Sequence, residues 1–151
     1  MLDTSGLVGA WQRTYPPEVF PALWDNLEVL AETGALMVPE EVHRELARQT
    51  DDLYDWVTQR KDNLVAPTTR SVAISVRGIL RDHPRLTMAG TGRGTADPFV
   101  IAEAEARRCP VVTEERGGTP DRPRIPYVCG RRGVEVMGML GLIRREGWIF
   151  R

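Results

Sequence analysis

The strongest constraint on the fold is a set of apolar runs too short to be helices, set between longer stretches with helical periodicity. Leu2-Asp3-Thr4 is a very short apolar start that reads as a strand end. Leu36-Met37-Val38, Val111-Val112-Thr113 and Val134-Glu135-Val136-Met137 read as further short strands. Between them, apolar residues recur at three- and four-residue spacing, as in Phe20, Leu23, Trp24, Leu27, Leu30 and Ala31. That helix is expected to open at Pro16-Pro17-Glu18 and to stop at Gly34. Pro39 starts a helix with Val42 and Leu46 facing inward, and Leu53, Trp56 and Val57 mark another that runs to about Leu64. Val72, Val76, Ile79 and Leu80 give a weaker helix within residues 67–83. Asp97-Pro98 heads a helix ending near Arg108, and Met139 to Ile143 form a last one stopped at Gly147. Residues 116–126 read as a loop, and Trp148-Ile149-Phe150 as an apolar tail that packs back. Short strands alternating with amphipathic helices define an α/β fold with a parallel sheet. In such sheets function collects at the carboxyl ends of the strands.

Composition narrows the class. The 151 residues suit a single domain, 1–151, with one core. Hydrophobic residues at 42% and charged residues at 27% exclude whole-chain disorder. No apolar run reaches a membrane span, and Met1 to Ser5 lacks the features of a signal peptide. A soluble cytoplasmic protein is expected. Cys109 and Cys129 do not make a disulfide scaffold, and with His43 and His83 they lack zinc-ligand spacing. The net charge of −1 conceals an asymmetry. Residues 1–65 carry twelve acids against five bases, and residues 66–151 nine against fifteen. A basic surface beside an acidic pocket would suit a polyanion held over bound metal, although halves of a sequence need not be halves of a structure.

Four acids fall where such a sheet would gather them. Asp3 follows the first strand, and Glu115 lies two residues past Thr113. Asp97 stands at a helix start, and Glu45 is one turn into the helix after Leu36-Met37-Val38. Unpaired, they would repel one another. A hard divalent cation, Mg²⁺ or Mn²⁺, resolves that repulsion with all-oxygen ligands and suits phosphodiester hydrolysis. Each acid also has a plain reading. Asp97 before Pro98 reads equally as a helix cap, Glu45 as a solvated helix acid, and Glu114 or Glu115 as surface charge. Asp3 is harder to dismiss, since an acid directly after a buried strand seldom helps packing.

Other features carry less. Gly90-Thr91-Gly92-Arg93-Gly94 lacks the lysine and hydroxyl residue of a phosphate loop, and reads as a flexible loop where Arg93 could touch RNA phosphate. Arg107-Arg108, Arg116, Arg122, Arg124, Arg131-Arg132 and Arg144-Arg145 offer material for an RNA-facing surface, or simply solvated faces. Trp11, Trp24, Trp56 and Trp148 read as core or partner contacts, and the two histidines as surface residues.

Four segments resemble the acidic motifs of PIN domains. They are Leu2-Asp3-Thr4-Ser5, Pro39-Glu40-Glu41-Val42-His43-Arg44-Glu45-Leu46, Ala96-Asp97-Pro98-Phe99-Val100-Ile101-Ala102 and Val111-Val112-Thr113-Glu114-Glu115. They occur in that family's order. Arg124-Ile125-Pro126-Tyr127-Val128-Cys129 and Gly147-Trp148-Ile149-Phe150 resemble a PIN-like subfamily otherwise known by a domain-of-unknown-function number, whose members look like toxins related to the VapC ribonucleases. The resemblance implies a three-layer α/β/α sandwich with a central parallel sheet. It implies a Mg²⁺- or Mn²⁺-dependent ribonuclease, the toxin of a toxin–antitoxin pair. Its partners would be an RNA substrate such as tRNA, a cognate antitoxin and a second copy of the chain. By position, Asp3 and Asp97 would be the leading metal ligands. Glu45 would hold metal or orient water, Glu115 would complete the cluster, and Ser5 and Thr113 would support it. Arg93 and Arg116 are the candidates for RNA contact. The fourth acid is Glu where the family often has Asp. The alternative reading is an inactive PIN-like module that binds RNA or protein.

Overall fold

A computed structural model describes residues 1–49, 51–87 and 94–150. In chain order the elements are α1 (Thr4–Gly9), a π-helical turn (Ala10–Thr14), α2 (Pro21–Glu32), β1 (Val38–Pro39), α3 (Glu40–Leu46), α4 (Asp52–Gln59), α5 (Lys61–Leu64), β2 (Val65–Ala66) and α6 (Arg70–Asp82). A 3₁₀ turn (Pro84–Thr87), α7 (Asp97–Arg107), β3 (Val111–Val112), α8 (Ile125–Arg132), β4 (Val136–Met137) and α9 (Met139–Arg145) complete them. The chain is a mixed α/β protein, mostly helical, with short parallel strands.

The strands form two parallel pairs, β1 with β2 and β3 with β4. The Met1–Asp3 segment joins them. On one side the Leu2 N–H donates to Met37 O at 2.9 Å, next to β1. On the other, Leu2 forms a parallel bridge with Val112, with Val112 N–H to Met1 O at 2.8 Å and Asp3 N–H to Val112 O at 3.2 Å. The order across the hydrogen bonds is therefore β2, β1, Met1–Asp3, β3, β4. From the first segment the chain steps outward to β1 and β2, then crosses to β3 and β4 on the other side. That reversal places a crevice between the ends of the first segment and β3, the position where open α/β sheets bind ligands.

One apolar cluster spans the chain, from Met1 and Leu2 through Leu27, Val57 and Ile101 to Ile143. Trp11, Trp24 and Trp56 belong with it. Trp11 meets Trp24 edge-on at 4.6 Å, and Trp24 meets Trp56 at 5.2 Å. The exposed apolar side chains in this part of the chain are Val19 and Val29 rather than the tryptophans. Among the described residues no helix is long and apolar enough to cross a membrane.

Several boundaries differ from the sequence expectation, each for an identifiable reason. A helix opening at Pro16 would carry Pro21 in its interior, where the ring clashes with a carbonyl one turn back. The helix instead starts at Pro21, and Pro16 accepts turn hydrogen bonds from Val19 and Phe20. The helix expected to reach Leu64 breaks at Arg60 into α4 and α5, and the chain then enters β2, a strand that the pattern did not mark. Residues 125–132, partly assigned to a loop, form α8 with Ile125, Val128 and Cys129 on its buried face. Of the C-terminal tail only Trp148 packs on the core; Ile149 is 75% exposed. His43 and His83 are half-buried, and their rings rest on Tyr54 and Tyr127.

Candidate active site

Asp3, Glu45, Asp97 and Glu115 line one cleft of about 560 Å³. Each reaches it from a different element, so the cleft exists only when the sheet is assembled.

Asp3 ends the central segment and begins α1. Its Oδ1 accepts the Gly6 N–H at 2.6 Å, the geometry of a helix cap. Its Oδ2 accepts from the Ser5 and Thr113 hydroxyls, both at 2.8 Å. The same hydroxyls accept the Glu114 and Glu115 N–H groups, so Ser5 and Thr113 tie the end of β3 to Asp3. Asp3 is 2% exposed. Burial raises its pKa to about 6, against the opposing pull of the Gly6, Ser5 and Thr113 donors, and Glu115 adds to the rise. Capping is a structural duty for Asp3 that the strand-end argument had not assigned.

Glu45 spans the cleft wall. Its Oε2 accepts from Thr4 Oγ1 at 2.5 Å, and its Oε1 from Thr95 Oγ1 at 2.8 Å and the Ala96 N–H at 3.0 Å. It therefore fastens the start of α1 to the segment that enters α7. Glu115 Oε2 accepts the Ile125 N–H at 3.0 Å and so supplies a carboxylate to the N-terminus of α8. Neither glutamate is a solvated surface acid.

Asp97 differs from the other three. It does not cap α7: Ala96 holds the cap position without a side-chain bond, and Asp97 is the first helical residue. Its carboxylate receives no hydrogen bond among the described residues. Gly94, at φ +87, leaves room for it, since a Cβ there would lie 3.1 Å from Asp97 Oδ2. Burial, then the charges of Glu115, Asp3 and Glu45, push its pKa up to about 9. Among the described residues no Arg or Lys forms an ion pair with any of the four acids.

The site thus gathers four acids in one cleft, with Arg13 and Arg48 also on its lining. Among the described residues, no three carboxylate, imidazole or thiolate groups close on one point as metal ligands. Both oxygens of Asp3 and of Glu45 already accept N–H or O–H donors, as does Glu115 Oε2, which leaves the Asp97 carboxylate and Glu115 Oε1 without a hydrogen bond among the described residues. Mg²⁺ typically takes one or two carboxylates and keeps several waters, so this donor set fits a hard divalent ion.

Sequence reasoning missed Gly6. A Cβ there would meet Val112 O at 2.8 Å and Asp3 Oδ1 at 2.9 Å, neither of which can swing away. Gly6→Ala is expected to destabilise by about 2 kcal/mol and lower Tm by about 4–8 °C in thermal unfolding. Its signal was available: a small residue three places after a strand-end acid. The RNA-contact candidates fare differently. Arg93 and most of the glycine-rich stretch lie outside the described residues. Arg116 is exposed and does not line the cleft. Arg107, Arg132 and Arg145 pair with Glu103, Glu105 and Glu135 within the fold.

The fold and site define an α/β protein with an acidic cleft at the carboxyl edge of its parallel strands. The chain belongs to the family described as a domain of unknown function (DUF4411), whose model matches residues 1–150. It matches no curated protein and no solved structure.

Proposed function

We propose that the chain is a metal-dependent endoribonuclease with a PIN-like α/β/α fold, acting as the toxin of a toxin–antitoxin pair. The observation that carries this reading is the Asp97 carboxylate, which shares a cleft with three other acids and receives no hydrogen bond among the described residues. An acid held in that way has no evident structural duty and fits a cation site. Asp3 and Asp97 would hold Mg²⁺ or Mn²⁺, which when bound supplies an activated water and charge neutralisation for phosphodiester hydrolysis. The chain's residues do the rest. Ser5, Thr113 and the Gly6 N–H fix the Asp3 carboxylate. Glu45 holds the entry to α7 against α1 and thereby positions Asp97.

The test incubates the purified chain with a labelled total tRNA pool, in Mn²⁺, in Mg²⁺ and in EDTA, beside Asp97→Asn. Discrete fragments are expected from the parent with metal only. Equal cleavage by the variant would overturn the site, and cleavage in EDTA would overturn the metal.

One observation favours a second reading, a PIN-like module that binds RNA or protein without cutting. Asp3, Glu45 and Glu115 all satisfy structural donors, so an inactive fold would still need them. Asp97 separates the two readings, because only catalysis or metal binding needs it.

A further inference from the structure

The cleft that holds the acids has a second chemical character at its rim, where Gln12 and Arg13 stand. Both belong to the π-helical turn after α1, closed by the Tyr15 N–H on Ala10 O at 2.9 Å. Wide turns of this kind recur at functional sites. Here the turn sends neighbouring residues in different directions. Trp11 packs against Trp24 and Trp56 in the core, while Gln12 and Arg13 face the cleft. The tryptophan is the anchor that sets the arginine.

Arg13 lies across Gly9. A Cβ on Gly9 would stand 3.1 Å from an Arg13 terminal nitrogen and 3.0 Å from Glu114 Cγ, so the guanidinium rests close against bare backbone there. Arg13 is exposed and makes no ion pair or side-chain hydrogen bond among the described residues. A guanidinium beside four carboxylates, yet bonded to none, keeps its donors available to a ligand. Its planar fork matches two phosphate oxygens, and its charge offsets the repulsion between an acidic floor and a polyanion.

We propose that Arg13 grips a backbone phosphate of single-stranded RNA next to the bond to be cut, and so lays the strand across the acidic floor. The inference rests on the nuclease reading and adds a residue that recognises the substrate. The test is fluorescence anisotropy with a labelled mixed-sequence single-stranded RNA in Ca²⁺, at several salt concentrations, beside the tRNA cleavage assay. Arg13→Ala is expected to weaken binding about tenfold and to reduce the slope of log affinity against log salt by about 1, with Tm unchanged. Arg13→Lys should restore part of the affinity, as a point charge without the fork. Arg116→Ala, exposed and off the cleft, should bind as the parent does. Parent-like binding by Arg13→Ala, or an equal loss in Arg116→Ala, would overturn the assignment while leaving the nuclease intact. A parent chain that neither binds nor cuts RNA would overturn both readings.

Discussion

Asp97→Asn is expected to raise the Tm of the metal-free protein at pH 8 by about 5–10 °C, while abolishing cleavage in the same preparation. The direction follows from where the proton sits. In the unfolded chain Asp97 ionises near the ordinary value of 3.8; in the fold its pKa is about 9. Between those values the folded state binds the extra proton, so stability falls as pH rises. Below about pH 4 there is no penalty, and above about pH 9 it is complete and constant. Asp3 adds a penalty of the same sign between its ordinary value and about 6. Asparagine removes the Asp97 part and keeps the shape. A cleft-side acid can relax toward water, which brings the gain at pH 8 to on the order of 2–3 kcal/mol. The readout is the difference in Tm between variant and parent, because other carboxylates titrate in both. That difference should be near zero at pH 4 and grow toward pH 9. Mn²⁺ or Mg²⁺ should lift the parent at pH 8 and leave Asp97→Asn nearly unmoved. A variant no more stable than its parent at pH 8 would remove the argument that this site needs a cation.

The two simple replacements of Asp3 should separate from each other. Asp3→Asn keeps an oxygen for the Gly6 N–H, and its amide can donate to the Ser5 and Thr113 hydroxyls in place of accepting from them. Asp3→Ala leaves the first turn of α1 uncapped and removes the acceptor shared by the Ser5 and Thr113 hydroxyls; these lie 3.1 Å apart, so one can donate to the other and one is left short of a partner. A lost cap costs about 1 kcal/mol and each unsatisfied buried group about 1–3 kcal/mol. Asp3→Ala is therefore expected to melt about 5–10 °C below Asp3→Asn at the same pH. Both should fail to cleave RNA. Equal melting temperatures would mean that the capping network contributes little, and Asp3 would then serve the ligand alone.

The acids were legible in the sequence because strand ends and helix starts leave local marks. Asp3, Glu45, Asp97 and Glu115 were each placed by a neighbouring apolar run or proline, and the structure brings all four to one cleft. Their individual duties were not legible. Whether Asp97 caps a helix depends on one residue of phase, and only the backbone shows Ala96 in the cap position. The bond from Ile125 N–H to Glu115 required α8, which a loop rich in Gly, Pro and Arg concealed. β2 was lost because two residues, Val65-Ala66, give no alternation to read. The segment after Ser5 was passed over as well. Its apolar positions Leu7, Ala10 and Trp11 fit a helix only until the π turn shifts the period, and Arg13 was hidden with them.

The central position of Met1–Asp3 also sets the order in which this molecule can become whole. Its partners on one side, Val112 and Thr113, lie about 110 residues further along the chain. Pairing that spans such a separation carries a large loop-closure cost and forms late in folding. During synthesis, Asp3 waits for Thr113, 110 residues further along, to be made. Until β3 has emerged, neither the middle of the sheet nor the meeting of the four acids exists. A chain synthesised only as far as α7 therefore holds no complete cleft, and whatever chemistry the site performs begins only after β3 has paired with Met1–Asp3.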